Sequence, residues 1–364
     1  MGGLALATLN TAIGLADHFK LDQHQIITQL DNENNYFEEE LNLPNNLKII
    51  KLPKFGPKIY PISLSMRSHI KSFNPDILYL KGLWRQTSIE AYNWKIMNPS
   101  KILIVSPAGM LQPKPLENRK ILKLISIYFI EKKLFKVCDL LQCVSSLEKS
   151  HLLNSKYRFK KIIFVPEGLP KISYQSKKKN NFSKELVAIS RITPIKGLEI
   201  LLEACKNLDF YGWKISIYGN GSTEYIKKLN NIIIKNNLEG KVFLNKGVYG
   251  DNKYQVLDEA SAFILPSHSE SFGIAVAEAM NFRLPVITTN KTPWSIIQKK
   301  NLGWLINPEV GELKFALVNL FSNSEEKLLE MGKNAKLYVS KNYNLVETSR
   351  KMRKEILLFI KNRD

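Results

Sequence analysis

Long apolar runs are missing from this 364-residue chain. No stretch reaches the roughly 18 uncharged apolar residues that a transmembrane helix requires. The small-residue-rich start, Met1 to Ala16, has no basic n-region, and Gly2, Gly3 and Asn10 interrupt it, so a secretory signal is not expected. Leu6 stands where a myristoylation signal has Ser or Thr. Cysteine is scarce: Cys138, Cys143 and Cys205 are scattered without metal-ligand spacing, and the five histidines form no HxxxH pattern. That excludes a zinc framework and a disulfide scaffold, and reads as reduced, buried thiols in the cytoplasm. Acidic residues are few, 33 against 53 basic ones, which leaves a formal charge of +20. Two causes stand side by side: an anionic partner, or a merely solvated lysine surface. No zinc-finger spacing occurs, and no basic stretch is interleaved with stacking aromatics, so nucleic acid is not an expected partner.

What is present is an alternation of short apolar runs and amphipathic stretches. Strands are expected at Gln25–Thr28, Leu47–Leu52, Ile77–Leu80, Ile102–Ser106, Leu140–Val144 and Ile162–Val165. A second series falls at Leu186–Ser190, Lys214–Tyr218, Val242–Leu244, Ala262–Leu265 and Pro285–Thr288. Helical patterns include Leu4–Phe19, Lys120–Val137, Leu198–Asn207 and Val346–Ile360. This rhythm implies an α/β fold with parallel sheets covered on both faces. Two Rossmann-like domains facing a cleft are expected, at 1–168 and 186–345, joined by a polar, basic linker at 169–185. The final helix, 346–364, is expected to pack back on the first domain.

In such sheets ligands bind beyond the carboxyl ends of strands, so the loops after strands carry the information. Arg191 and Lys196 are two fixed cations five positions apart across a turn that opens a helix, an arrangement suited to a diphosphate or to an ordinary charged loop. Gly219 and Gly221 form a Gly-x-Gly turn that admits either a ligand or a tight backbone. The strongest signal is the run Ser267–Met280. A helix is expected to begin near Ser271 and be capped by it, freeing the amides of Phe272, Gly273 and Ile274 for an anion. Glu278 falls among Ala, Val and Met, where a carboxylate needs a partner: ribose hydroxyls or a salt bridge.

The Glu270/Glu278 pair with its seven intervening residues, the Arg191/Lys196 pair and the Tyr218–Ser222 turn together resemble family 4 retaining glycosyltransferases. The resemblance implies a GT-B fold and transfer of a sugar from a nucleotide-sugar donor with retained anomeric configuration. No cofactor is then needed, since cations and amides stabilise the leaving diphosphate in place of a metal. It implies that Arg191 and Lys196 hold the diphosphate, that Gly219, Gly221, Ser271, Phe272, Gly273 and Ile274 approach the donor, and that Glu278 binds ribose. Glu270 would bind the donor sugar and take part in catalysis without an assigned nucleophilic role. Gly2, Gly3 and Gly109 resemble the acceptor-side loops, with Ala108 where many relatives carry His or Arg. Because Gly2-Gly3 resembles the loop after the family's first strand, the first sheet is expected to lack that strand. The acceptor expected is a glycan or lipid-linked precursor of a surface polysaccharide. A non-catalytic sugar-nucleotide or polyanion-binding protein, and a GT-B epimerase or phosphorylase, are the alternatives. Lys114–Lys136 is a basic amphipathic pattern, fitting either a helix lying on the inner face of an anionic membrane or a core-facing helix with a lysine face. Trp294 is expected in packing rather than in base stacking.

Overall fold

In the computed structural model, residues 3–30, 43–57, 60–117, 120–172, 174–175 and 182–363 are described. The chain forms two compact units, one of Leu4–Gly168 with Leu345–Asp364, the other principally Leu169–Asn344.

In the first unit β1 (His24–Leu30) and β2 (Leu47–Pro53) pair in parallel as a two-stranded sheet. A second parallel sheet holds β3 (Ile77–Lys81), β4 (Ile102–Ser106), β5 (Leu140–Cys143) and β6 (Ile162–Phe164), side by side in that order. β4 reads Ile-Leu-Ile-Val-Ser and is buried throughout, as a strand with both faces covered must be. Its alternate side chains serve two cores. Leu103 and Val105 pack with Trp94, Leu134 and Phe135, whereas Ile102 and Ile104 pack with Met352 and Ile356 of the helix Leu345–Lys361. The C-terminal helix therefore seals one face of this sheet.

The second unit holds β7 (Glu185–Ile189), β8 (Lys214–Tyr218), β9 (Val242–Asn245), β10 (Ala262–Leu265), β11 (Val286–Thr289) and β12 (Gly303–Ile306). All pair in parallel, in the order β12-β11-β10-β7-β8-β9. This is the doubly wound arrangement, and the strand order reverses between β7 and β10. Leu186, Ala188, Ile215, Ile217, Ile264 and Ile287 of its strands share one core with Leu198, Leu201, Leu313 and Leu317 of covering helices.

Two elements differ from the sequence reading. β12 has no counterpart in it, because Gly-Trp-Leu-Ile is only four residues long and opens on a glycine. The helix expected at Lys120–Val137 is helical throughout but contains a π-helical turn at Ile127–Glu131. It buries Ile127, Leu134 and Phe135, while Ile121, Leu122, Leu124, Ile125, Tyr128 and Phe129 are exposed. The helix thus faces its own core on one side, as one of the two readings has it, and carries a second, exposed apolar face on the other. Among the described residues no helix is long and apolar enough to cross a membrane.

Candidate functional site

The point of strand reversal brings the loop after β7 against the loop after β10. The β7 loop ends in a short 3-10 turn, Pro194–Lys196, and Gly197 then starts the helix Leu198–Ala204. Gly197 has φ +68, and a Cβ there would lie 2.1 Å from the Pro266 carbonyl oxygen. Only glycine meets both demands, the left-handed backbone and the close approach. The His268 amide donates to the Ile195 carbonyl at 2.8 Å, which ties the two loops together.

Gly219 and Gly221 have a similar structural purpose. Cβ atoms on them would fall 1.9 Å from the Ser190 carbonyl oxygen and 2.3 Å from that of Ile192. Ile192 and Gly221 form a β-bridge, and the Ile192 amide donates to Asn220. The Gly-x-Gly turn thus lets the β8 loop press on the β7 loop that carries Arg191; of its two sequence readings, the structure supplies the tight backbone. Arg191 is exposed, and among the described residues its guanidinium has no hydrogen-bond or ion-pair partner.

Lys196 does have one. Its Nζ lies 2.5 Å from Glu270 Oε1, with the two side chains 13% and 12% exposed. Glu270 also accepts from Ser267 Oγ at 2.7 Å, and its amide donates to the Lys291 carbonyl at 3.3 Å. The β10 loop is pinned further by Thr289 Oγ1, which donates to the Ser267 carbonyl at 2.5 Å.

The expected helix start is corrected. The helix runs Ile274–Asn281, and its N-terminal flank is Gly273 with φ +79, not Ser271. The chain has to turn through a left-handed residue here, which a serine cap in extended conformation does not provide. The consequence foreseen for the amides is nevertheless met: among the described residues no acceptor takes the N–H of Phe272, Gly273, Ile274 or Ala275. They form the positive end of that helix. Trp294 fixes the turn, donating from Nε1 to the Phe272 carbonyl at 2.6 Å, buried against the Phe272 and Tyr343 rings.

Glu278 is buried, and the salt-bridge reading of it holds. Lys253, from the helix Gly250–Glu259, places Nζ 2.5 Å from Glu278 Oε1. Lys253 was missed from sequence. It is 25 residues from Glu278 on another helix, and no local pattern links the two.

Gly2 lies outside the described residues. Gly3 opens the helix Gly3–His18 and not a loop, and a Cβ added to it would meet nothing within 4 Å. Gly109 sits in the loop after β4 beside Ala108, both with positive φ. Its amide donates to Glu148 Oε1 at 2.5 Å, and the Val144 amide donates to Oε2 of the same carboxylate at 2.8 Å. Burial pushes the Glu148 carboxyl up to about 7, against the pull of these two amides. Glu148 was also missed, although Ser145-x-x-Glu148 is a capping-box spacing and Ser145 does cap the helix Ser146–Leu153. Close by in sequence, Glu167 after β6 forms a buried pair with Lys81 at 2.7 Å, and Lys81 also donates to Thr11 Oγ1. Burial lowers the Lys81 ammonium against the pull of Glu167. These groups gather at the carboxyl ends of β3 to β6, the ligand-binding edge of a parallel sheet.

Comparison with known proteins places this architecture. The fold is GT-B, as in the Anabaena protein Alr3699/HepE, solved with UDP and glucose, which aligns over 98% of this chain and 96% of its own with a TM-score of 0.76 at 16% identity. Residues 172–338 match the family Glycosyl transferases group 1, so the second unit carries a domain of that family. Two relatives mark its range. An uncharacterized glycosyltransferase of Methanocaldococcus jannaschii is 29% identical over 56% of this chain and 55% of its own length. The GDP-mannose:cellobiosyl-diphosphopolyprenol alpha-mannosyltransferase of Komagataeibacter xylinus is 23% identical over 85% of this chain and 77% of its own. The chain spans about half the length of the first curated relatives it matches.

Proposed function

We propose that the chain is a retaining glycosyltransferase that moves a sugar from a nucleoside diphosphate-sugar to a glycan or lipid-linked acceptor in polysaccharide biosynthesis. The observation that carries this reading is the convergence at the β7/β10 reversal of Arg191, Lys196, Glu270 and four amides that have no acceptor among the described residues. Charge develops on the leaving diphosphate as the glycosidic bond breaks. A planar guanidinium, an ammonium and a helix N-terminus, already positioned in a partly buried site, stabilise that charge without reorganising. Arg191 and Lys196 bind the diphosphate, the amides of Phe272 to Ile274 bind its donor-sugar side, and Glu270 holds a sugar hydroxyl. Glu278, paired with Lys253, accepts from the ribose hydroxyls. These cations and amides make a metal unnecessary for the leaving group, and the reaction is expected to proceed in EDTA. The relatives named for colanic acid and amylovoran biosynthesis support the polysaccharide context.

The test is a thermal-shift and hydrolysis screen with UDP-, GDP- and ADP-sugars on the wild type and Arg191→Ala. Stabilisation by one donor, abolished in the variant, with slow sugar release at retained configuration, is the expected outcome. A folded protein that responds to no donor sinks the proposal and leaves a non-catalytic binding protein.

A further inference from the structure

We infer that the outward face of the helical segment 120–136 is a docking surface for an anionic lipid bilayer. Six bulky apolar side chains fall within nine positions: Ile121, Leu122, Leu124, Ile125, Tyr128 and Phe129, each between 50% and 74% exposed. Five of them, at 121, 124, 125, 128 and 129, follow the i, i+3, i+4, i+7, i+8 spacing of one helix stripe. The opposite stripe, Ile127, Glu131, Leu134 and Phe135, is buried, so the segment is already anchored to its own core and carries a second apolar face with no partner there. A soluble surface rarely gathers so much contiguous apolar area without an occupant.

Charge selects the occupant. Lys114, Lys120, Lys132, Lys133 and Lys136 flank the stripe and are exposed. Among the described carboxylates of this segment, Glu117 is tied to Lys114 at 2.8 Å and Glu131 is buried. An apolar band rimmed by exposed lysines, of which only Lys114 is paired with a carboxylate among the described residues, complements a layer whose interior is hydrocarbon and whose headgroups are negative. A second copy of the chain fits badly, because a two-fold contact presents the same patch to itself and brings lysines against lysines. The chain's charge of +20 adds long-range attraction to such a surface.

The experiment is co-sedimentation of the full chain with phosphatidylcholine vesicles, with and without phosphatidylglycerol, and needs no donor. Variants are Leu124→Ser/Phe129→Ser, Lys132→Glu/Lys133→Glu and, as a control on an exposed apolar residue of the other unit, Phe315→Ser. Binding to the anionic vesicles only, weakened by salt, is expected. Each lysine near the surface accounts for about fivefold in partitioning, so the double charge reversal is expected to weaken it more than about tenfold. Circular dichroism and gel filtration of each variant report folding and mass. Absence of binding to anionic vesicles overturns the inference, as does binding unchanged in both patch variants. Patch variants that convert a dimer to a monomer while vesicle binding persists overturn it in favour of self-association.

Discussion

Replacing Glu278 by Gln isolates a largely buried ion pair of the second unit. The Lys253–Glu278 pair has an N–O separation of 2.5 Å, with side chains 14% and 11% exposed. Removing one partner of a buried pair costs about 3–5 kcal/mol, because the remaining charge is left desolvated. Two features reduce that here. Some water reaches the Lys253 ammonium, and the glutamine oxygen still accepts one hydrogen bond, worth about 1 kcal/mol. The expected loss is therefore about 2 kcal/mol, or roughly 4–8 °C in the melting temperature of a unit this size. Calorimetry on the wild type, Glu278→Gln, Lys253→Met and the double variant completes a cycle. If the pair acts as a unit, the double variant loses about 2 kcal/mol less than the sum of the singles. Additivity within about 0.5 kcal/mol would refute the reasoning, since distant, uncoupled sites behave that way.

Arg191→Ala is expected to change stability by less than about 0.5 kcal/mol, since the exposed side chain has no hydrogen-bond or ion-pair partner among the described residues, yet to weaken nucleoside diphosphate binding by about tenfold or more; titration calorimetry reads the second quantity and urea unfolding the first. Gly197→Ala is expected to cost about 1–2 kcal/mol from the left-handed backbone alone, with more from the Pro266 carbonyl, and to disjoin the two loops. Wild-type thermal stability in the alanine variant would show that the loops tolerate separation. Glu131→Gln tests a buried carboxyl that accepts from the Trp84 amide at 2.9 Å and that burial raises from 4.5 to about 6. A carboxyl with a raised folded pKa binds more protons folded than unfolded, so it loses stability as pH climbs from 4.5 to 6. The glutamine variant is then expected to gain up to about 2 kcal/mol on the wild type above that window and nothing below it. Parallel urea curves at pH 4 and 7.5 with an unchanged difference would contradict this.

Most strands were legible because parallel strands buried on both faces must be written almost wholly in Ile, Val, Leu and Phe; β4 and β10 were found to the residue. The loops were legible because cations, glycines and a run holding Glu270 and Glu278 follow those strands directly. What was illegible depends on contacts between segments far apart. Lys253 and Glu278 meet only after two helices pack, and the Gly219/Gly221 turn reads as either a ligand approach or a tight backbone until the neighbouring Ser190 and Ile192 carbonyls are seen against it. The Ser271 cap failed for a local reason instead. Ser, Phe and Gly in succession permit either a serine cap or a left-handed glycine, and the buried Trp294 bond to the Phe272 carbonyl fits the second.

The Lys196–Glu270 pair has a consequence that separates binding from turnover. A diphosphate arriving at the β7/β10 reversal competes with Glu270 for Lys196, so part of its electrostatic gain offsets the broken pair. Neutralising the carboxylate in Glu270→Gln removes that competition, while Ser267 Oγ can still donate to the amide oxygen. A nucleoside diphosphate without its sugar should then bind the variant at least as tightly as the wild type. Removing one carboxylate from beside the ammonium is worth about 1–2 kcal/mol at an effective dielectric of about 20 once solvent screening is allowed for, or roughly tenfold in Kd. Sugar transfer should move the opposite way, because the carboxylate proposed to hold a sugar hydroxyl during bond cleavage is gone, and kcat should fall by about a hundredfold or more. Titration calorimetry with the nucleoside diphosphate and steady-state kinetics with the intact donor measure the two effects separately. Weaker diphosphate binding in Glu270→Gln would mean that the carboxylate positions Lys196 and does not compete for it; an unchanged kcat would remove Glu270 from the reaction altogether.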